Sequence, residues 1–193
     1  MAQKLIINVG RQYGSGGRRV AEALGEKLGI PVYDNELITE AARKSGISPE
    51  IFEKKDERKH FFNLFSDRYN NDNEVFKIQS DVICEIAEKG SAIFVGRASD
   101  YVLRDMDCCV DVFLSCPLEF RKKFIAKRRN VDEDEAVTIC EREDRRRATY
   151  YNYFTFSNWG VASNYDLCID TSLLGIEGTA DFIIDFAKKR GLL

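Results

Sequence analysis

Short apolar runs alternate with longer amphipathic stretches along the whole chain. The runs are Leu5–Val9, Pro31–Tyr33, Ala92–Val95, Cys109–Leu114 and Leu167–Asp170. Each is brief and mostly apolar, the pattern of strands buried on both faces of a parallel sheet. The intervening sequence predicts helices over about Arg18–Leu28, Asn35–Lys44, Pro49–Phe65, Asn73–Glu88, Leu118–Arg129, Asp132–Tyr150 and Ile176–Lys189. In the first of them Val20, Ala21, Leu24 and Leu28 recur at helical spacing and share one face. Strands alternating with helices predict a three-layer α/β/α fold with right-handed crossovers.

Several boundaries carry chemical punctuation. Gly29 and Pro31 follow the first helix, Ser48-Pro49-Glu50 opens another, and Thr171-Ser172 precedes the last. Residues 46–80 lack a strand pattern but hold Phe52, Phe61, Phe62, Phe65, Tyr69 and Phe76. They read as a helical insertion capping one end of the sheet, within a single domain of 193 residues.

Composition narrows the partners. A formal net charge of −3 gives no support for a nucleic-acid polymer. The charge is uneven, however: Arg121–Arg129 and Arg142–Arg147 are basic runs suited to a local anion. The 6 cysteines form no C-x-x-C pair and are expected to be buried, reduced thiols; the single histidine, His60, rules out a His-rich metal site. No apolar run approaches the ~20 residues needed to span a bilayer, and the N-terminus leads straight into a strand. The sequence therefore reads as cytoplasmic, with no membrane partner.

The chemistry concentrates after the first strand, in Val9-Gly10-Arg11-Gln12-Tyr13-Gly14-Ser15-Gly16-Gly17-Arg18-Arg19. Glycines let consecutive backbone N–H groups converge on an anion, and the following helix adds its positive N-terminus. Gly14, Ser15, Gly16 and Gly17 are thus expected to cradle nucleotide phosphates, as in a P-loop. The lysine slot of the Walker A pattern holds Gly17, and the Ser/Thr slot holds Arg18. Arg18 or Arg19 is expected to supply the missing cation. Any Mg²⁺ would rely on Ser15 or on carboxylates such as Asp34.

Four other features stand at strand ends or on helices. Asp34 follows the second strand, placed either to orient an acceptor or a metal-bound water or to cap the next helix. Gly96-Arg97 follows the third strand, where Arg97 would grip a phosphate or base edge or lie in a surface loop. Arg121, Arg128 and Arg129, then Glu141-Arg142-Glu143-Asp144-Arg145-Arg146-Arg147, either face a common cleft or form solvated helix faces. The aromatic segment from Tyr150 to Phe156, with Trp159, either stacks a base or serves packing or a homodimer.

This order of motifs resembles the cytidylate kinases, within the P-loop nucleoside monophosphate kinases, over nearly the whole chain. Gly14-Ser15-Gly16 is similar to the nucleotide loop, and Val32-Tyr33-Asp34 to the second strand with its aspartate. Phe94-Val95-Gly96-Arg97 is similar to the monophosphate-binding G-R-D segment, Glu141-Arg142-Glu143-Asp144-Arg145 to the lid signature, and Tyr165–Ser172 to the last strand and the loop that would cradle adenine. Ala98 replaces the aspartate after G-R, residues near Asn35 and Glu40 replace a serine and an arginine that hold CMP, and Arg146 and Thr149 replace lid residues. The resemblance implies a five-stranded parallel sheet in 2-3-1-4-5 order, a helical acceptor-binding insertion over 35–80 and a lid-like segment over about 130–160. It also implies ATP, Mg²⁺ and a nucleoside monophosphate or other small acceptor. On that reading Arg18, Asp34, Arg142 and Arg145 carry catalysis, and Asp34, Asn35 and Arg97 hold the acceptor. The alternatives are a non-catalytic nucleotide or anion binder and a dimeric interaction module.

Overall fold

A computed structural model describes residues 4–44 and 65–193. Five parallel strands form one sheet: β1 (Ile6–Arg11), β2 (Val32–Tyr33), β3 (Ala92–Val95), β4 (Cys109–Ser115) and β5 (Leu167–Asp170). Their order is β2-β3-β1-β4-β5, as the resemblance implies. β1 is central, aligning Ile7 with Ile93 of β3 and with Val110 of β4.

The helices are α1 (Gly17–Leu28), α2 (Asn35–Lys44), α3 (Phe65–Lys89), the short α4 (Ser99–Val102), α5 (Leu118–Arg129), α6 (Glu133–Thr155) and α7 (Thr171–Lys189). The pleat explains the layering, because neighbouring residues on a strand point to opposite faces. Ile7 and Val9 pack with Val20, Leu24 and Ile183 beneath α1 and α7. Ile6 and Phe94 pack with Ile38, Val82 and Ile83 beneath α2 and α3. A third, small cluster of Ile125, Ala136, Ile139 and Cys140 joins α5 to α6, with Tyr13 against it.

Several elements outrun the expected bounds. β1 continues through Gly10 and Arg11 because both still align with β4, at Phe113 and Leu114. α6 runs past Tyr150 to Thr155, since Tyr151 and Thr155 are buried on its inner face. α7 starts at Thr171, its N-terminus capped by Asp170, and kinks at Gly175 (φ 66°), which separates this first turn from the expected helix. Cysteine burial is mixed: Cys109, Cys116 and Cys140 are buried, but Cys168 on edge strand β5 is exposed, correcting the expectation of buried thiols. The expected helix over Pro49–Phe65, with Ser48, Phe52, His60, Phe61 and Phe62, lies almost wholly outside the described residues.

Candidate phosphate and acceptor site

The glycine loop is shaped by backbone geometry. Gly14 (φ 81°) and Gly16 (φ 80°) occupy the left-handed region that side chains disfavour. Between them Ser15 is tucked inward: its hydroxyl donates to the Gln12 carbonyl at 2.9 Å, and its own carbonyl accepts from Thr171 at 2.7 Å. Gly16 precedes α1, whose first N–H groups lack a helical acceptor and have no side-chain cap, the arrangement an anion site uses.

Two helices brace this loop from outside. Asp144 of α6 accepts the Tyr13 N–H at 2.6 Å. Its other oxygen pairs with Arg121 of α5 at 2.6 Å. Arg121 is only 8% exposed and also donates to the carbonyls of Cys116 (2.8 Å) and Tyr13 (3.1 Å). The expectation that Arg121 holds charge on a transferring group is corrected: it is buried, and its Nε and Nη1 are committed to the scaffold. Arg129 reaches the Tyr13 hydroxyl at 3.0 Å, and Arg128 is exposed.

Beside the loop lies a cavity of about 230 Å³, lined by Arg11, Asn35, Gly96, Arg97, Asp100, Arg146, Arg147, Tyr150, Tyr151, Trp159 and Tyr165, among others. Its floor is an unusual turn. Gly96 (φ 75°), Arg97 (φ 63°) and Ala98 (φ 54°) are all left-handed in succession. For the two non-glycines this conformation costs about 1–3 kcal/mol each, a strain that clusters at functional positions. Arg97 donates to Gln79, which donates to Thr39 at 3.2 Å. The guanidinium of Arg97 also lies over the Tyr150 ring, 4.0 Å from its centroid. The placement at a strand end thus puts Arg97 in a cleft, not in a surface loop.

α6 roofs the cavity. With about 3.6 residues per turn, Asp144, Arg147 and Tyr151 share its inner face. Arg147 donates to the Arg11 carbonyl at 2.9 Å, and the Tyr151 hydroxyl donates to Asp100 at 2.7 Å. Burial raises the Asp100 carboxyl pKa, and the Tyr151 hydrogen bond opposes that shift. Burial, then Asp100, raises the Tyr151 hydroxyl.

The same helical phase turns Arg142 and Arg145 outward. Arg142 has 67% of its side chain exposed and leans on Glu143 at 3.6 Å; Arg145 is exposed as well. The inner position falls to Arg147; Arg146 edges the cavity but is 77% exposed and pairs with Glu143 at 3.0 Å. Arg18 is 61% exposed and pairs with Glu22 (3.1 Å) and Asp34 (3.2 Å), away from the loop interior, and Arg19 is exposed. Asp34 caps α2 through Oδ1, accepting from Glu36 (3.0 Å) and Leu37 (3.1 Å), and meets Arg18 through Oδ2. Asn35 lines the cavity mouth.

The expected magnesium ligands do not form a donor set. The Ser15 hydroxyl is turned to Gln12, both Asp34 oxygens are engaged, and no group of three or more His, Cys, Asp or Glu side chains converges among the described residues. The aromatic segment serves mainly as packing and lining. Phe154 stacks on Phe76 at 4.1 Å, while Trp159 meets Phe113 edge-on at 5.1 Å. Sequence reasoning missed Arg11, Asp144 and Tyr151. Only Arg11 left a local signal, as a charged residue at the very end of a buried strand.

Residues 6–173 match the cytidylate kinase-like family. The chain is 29% identical to a cytidylate kinase of Methanocaldococcus jannaschii, across 96% of this chain and 100% of that one. It is 30% identical to a cytidylate kinase of Methanopyrus kandleri, across 87% and 85%. Among solved structures, an uncharacterized protein from Eubacterium ventriosum superposes with a TM-score of 0.79 at 28% identity, covering 97% of this chain and 99% of that one. A shikimate kinase from Bacteroides thetaiotaomicron shares the fold (TM-score 0.57, 14% identity, 95% and 98% covered). The chain belongs to the cytidylate kinase-like family, with the P-loop kinase fold.

Proposed function

We propose that this protein is an ATP-dependent phosphotransferase that passes the γ-phosphate to a nucleoside monophosphate such as CMP or dCMP. One observation carries the reading: Arg11, whose stem packs against Gly17 of the glycine loop, also lines a cavity with Arg97, Arg146 and Arg147. Polyphosphate on one side and monophosphate on the other would meet at that charge, which is what phosphoryl transfer demands. The names of the M. jannaschii and M. kandleri relatives support a cytidylate acceptor.

On this reading the backbone N–H groups from Gly14 to Gly17 and the start of α1 hold the donor phosphates. Arg97, fixed by Gln79 and Tyr150, grips the acceptor phosphate, with Asp34 and Asn35 at its rim. Arg147 closes the charge from above. Tyr150, Trp159 and Tyr165 offer flat surfaces to a base. Mg²⁺ would arrive on the donor phosphates with its own water shell, since no group of three or more His, Cys, Asp or Glu side chains converges among the described residues; when bound it would offset phosphate charge.

A second reading, a nucleotide or anion binder without turnover, is favoured by Gly17 standing where the lysine belongs. Calorimetry with ATP, with and without Mg²⁺, followed by a turnover assay against CMP, dCMP and a panel of small acceptors, separates the two. Transfer to any acceptor supports the kinase, and a CMP preference supports the finer reading. Binding without transfer supports the binder.

A further inference from the structure

The Walker A pattern runs G-x-x-x-x-G-K-[ST]. In this chain the pattern's first glycine position holds Arg11, and its lysine position holds Gly17. The two ends of the motif have exchanged their cation and their glycine. The structure shows that the two changes are one. A Cβ placed on Gly17 would lie 2.6 Å from the Cβ of Arg11 and 2.8 Å from its Cγ. No side chain can stand at position 17 while Arg11 follows this course. The space is occupied by the stem of another cation.

The head of Arg11 then crosses toward the acceptor side. A Cβ on Gly96 would collide with its Nη1 and lie 3.0 Å from its Cζ. Gly96 is therefore constrained twice, by its φ of 75° and by the guanidinium running over it. The guanidinium lines the cavity with Arg97, Arg146 and Arg147. It makes no hydrogen bond or ion pair among the described residues, although Asp34 is near enough to act on it electrostatically. Burial, then Arg147, pushes its pKa down to about 9, so it remains a cation at neutral pH. A partly buried cation among like charges, with its donors uncommitted, is a site for a polyanion.

We propose that Arg11 is the phosphate-binding cation of this loop, the relocated counterpart of the absent lysine, lying where the donor's terminal phosphate meets the acceptor's. This rests on the kinase reading for the identity of the two phosphates, but not for the binding of phosphate itself. It also removes the need for Arg18 in that role.

The test uses calorimetry with ATP, AMP and inorganic tripolyphosphate, thermal melts, and turnover. Arg11→Gln should weaken ATP and tripolyphosphate about ten- to a hundredfold, the loss expected for a charge-assisted hydrogen bond, while AMP changes little. Arg11→Lys should restore part of that affinity. Gly17→Lys alone should lower the melting temperature, and Arg11→Gly with Gly17→Lys should recover both the fold and the affinity, a non-additivity that only a shared space produces. Wild-type affinity in Arg11→Gln overturns the proposal, as does a Gly17→Lys chain equally stable with and without Arg11. Phosphate binding that depends on Arg11 without phosphoryl transfer leaves the proposal standing and removes the kinase reading. Full turnover in Arg11→Gln does the reverse, and no phosphate binding by the native protein overturns both.

Discussion

The glycine loop and the arginine cluster beside it are built on opposite plans. The loop is a stretch of neighbouring residues that works through its backbone, with Gly14 and Gly16 held left-handed and Ser15 tucked in. The cluster works through side chains that arrive from separate elements: Arg11 from β1, Arg97 from the turn after β3, Arg146 and Arg147 from α6. A backbone site tolerates almost any side chain that stays out of its way. A side-chain site depends on every element that aims a member. Damage to the loop's bracing should therefore appear as lost stability, and damage to the cluster as lost affinity in a protein that still folds.

The comparison breaks most visibly at Arg121, a basic residue that belongs to the bracing. Arg121→Ala strands Asp144 and frees two carbonyls, and should cost about 3–5 kcal/mol in urea unfolding. Near-native stability would place Arg121 with the cluster instead. Arg97→Ala should do the opposite. The acceptor KM should rise about ten- to a hundredfold, with a smaller change in kcat and a nearly unshifted melt. A KM that stays put while kcat falls would move Arg97 from binding to the transition state.

Beneath both regions, Asp111 of β4 tests the sheet. Burial pushes its carboxyl up to about 6, against the stabilising Asn8 amide at 2.8 Å. A carboxyl with a higher pKa folded than unfolded holds its proton more tightly in the fold. Stability is thus fully supported below about pH 4 and declines as pH climbs through about 6. Asp111→Asn should flatten that slope and add about 1–2 kcal/mol at neutral pH, read from melts across the range. The smallest effect is expected at Arg142. Its truncation should leave kcat within about twofold. A large loss would mean that α6 turns its outer face inward during turnover.

The contrast between the regions also explains how far the sequence could be read. The loop is local, so four glycines after a buried strand announce it. The α/β layering follows from the alternation of short apolar runs with helices, and the strand order from the family likeness alone. Asp34 was legible as either a cap or a site residue; it caps α2, and its second oxygen meets Arg18. The cluster was not legible, because convergence is a property of the fold. Nothing in Glu141–Arg147 says which arginines face inward until the phase of α6 is set by Asp144 gripping the Tyr13 N–H and Tyr151 gripping Asp100. Arg18 looked like the substitute cation because it adjoins the empty lysine slot, whereas Arg11 lies six positions earlier. Only the distance from its stem to Gly17 reveals the exchange.

α6 is a single uninterrupted helix that touches the glycine loop at Tyr13 near its middle and Asp100 of α4 near its end. It behaves as a stiff beam pinned at two points. A ligand that shifts one pin is felt at the other, so donor and acceptor should not bind independently. Whatever factor the first ligand applies to the affinity of the second, the second must return to the first, and the order in which the two are titrated would leave that factor unchanged.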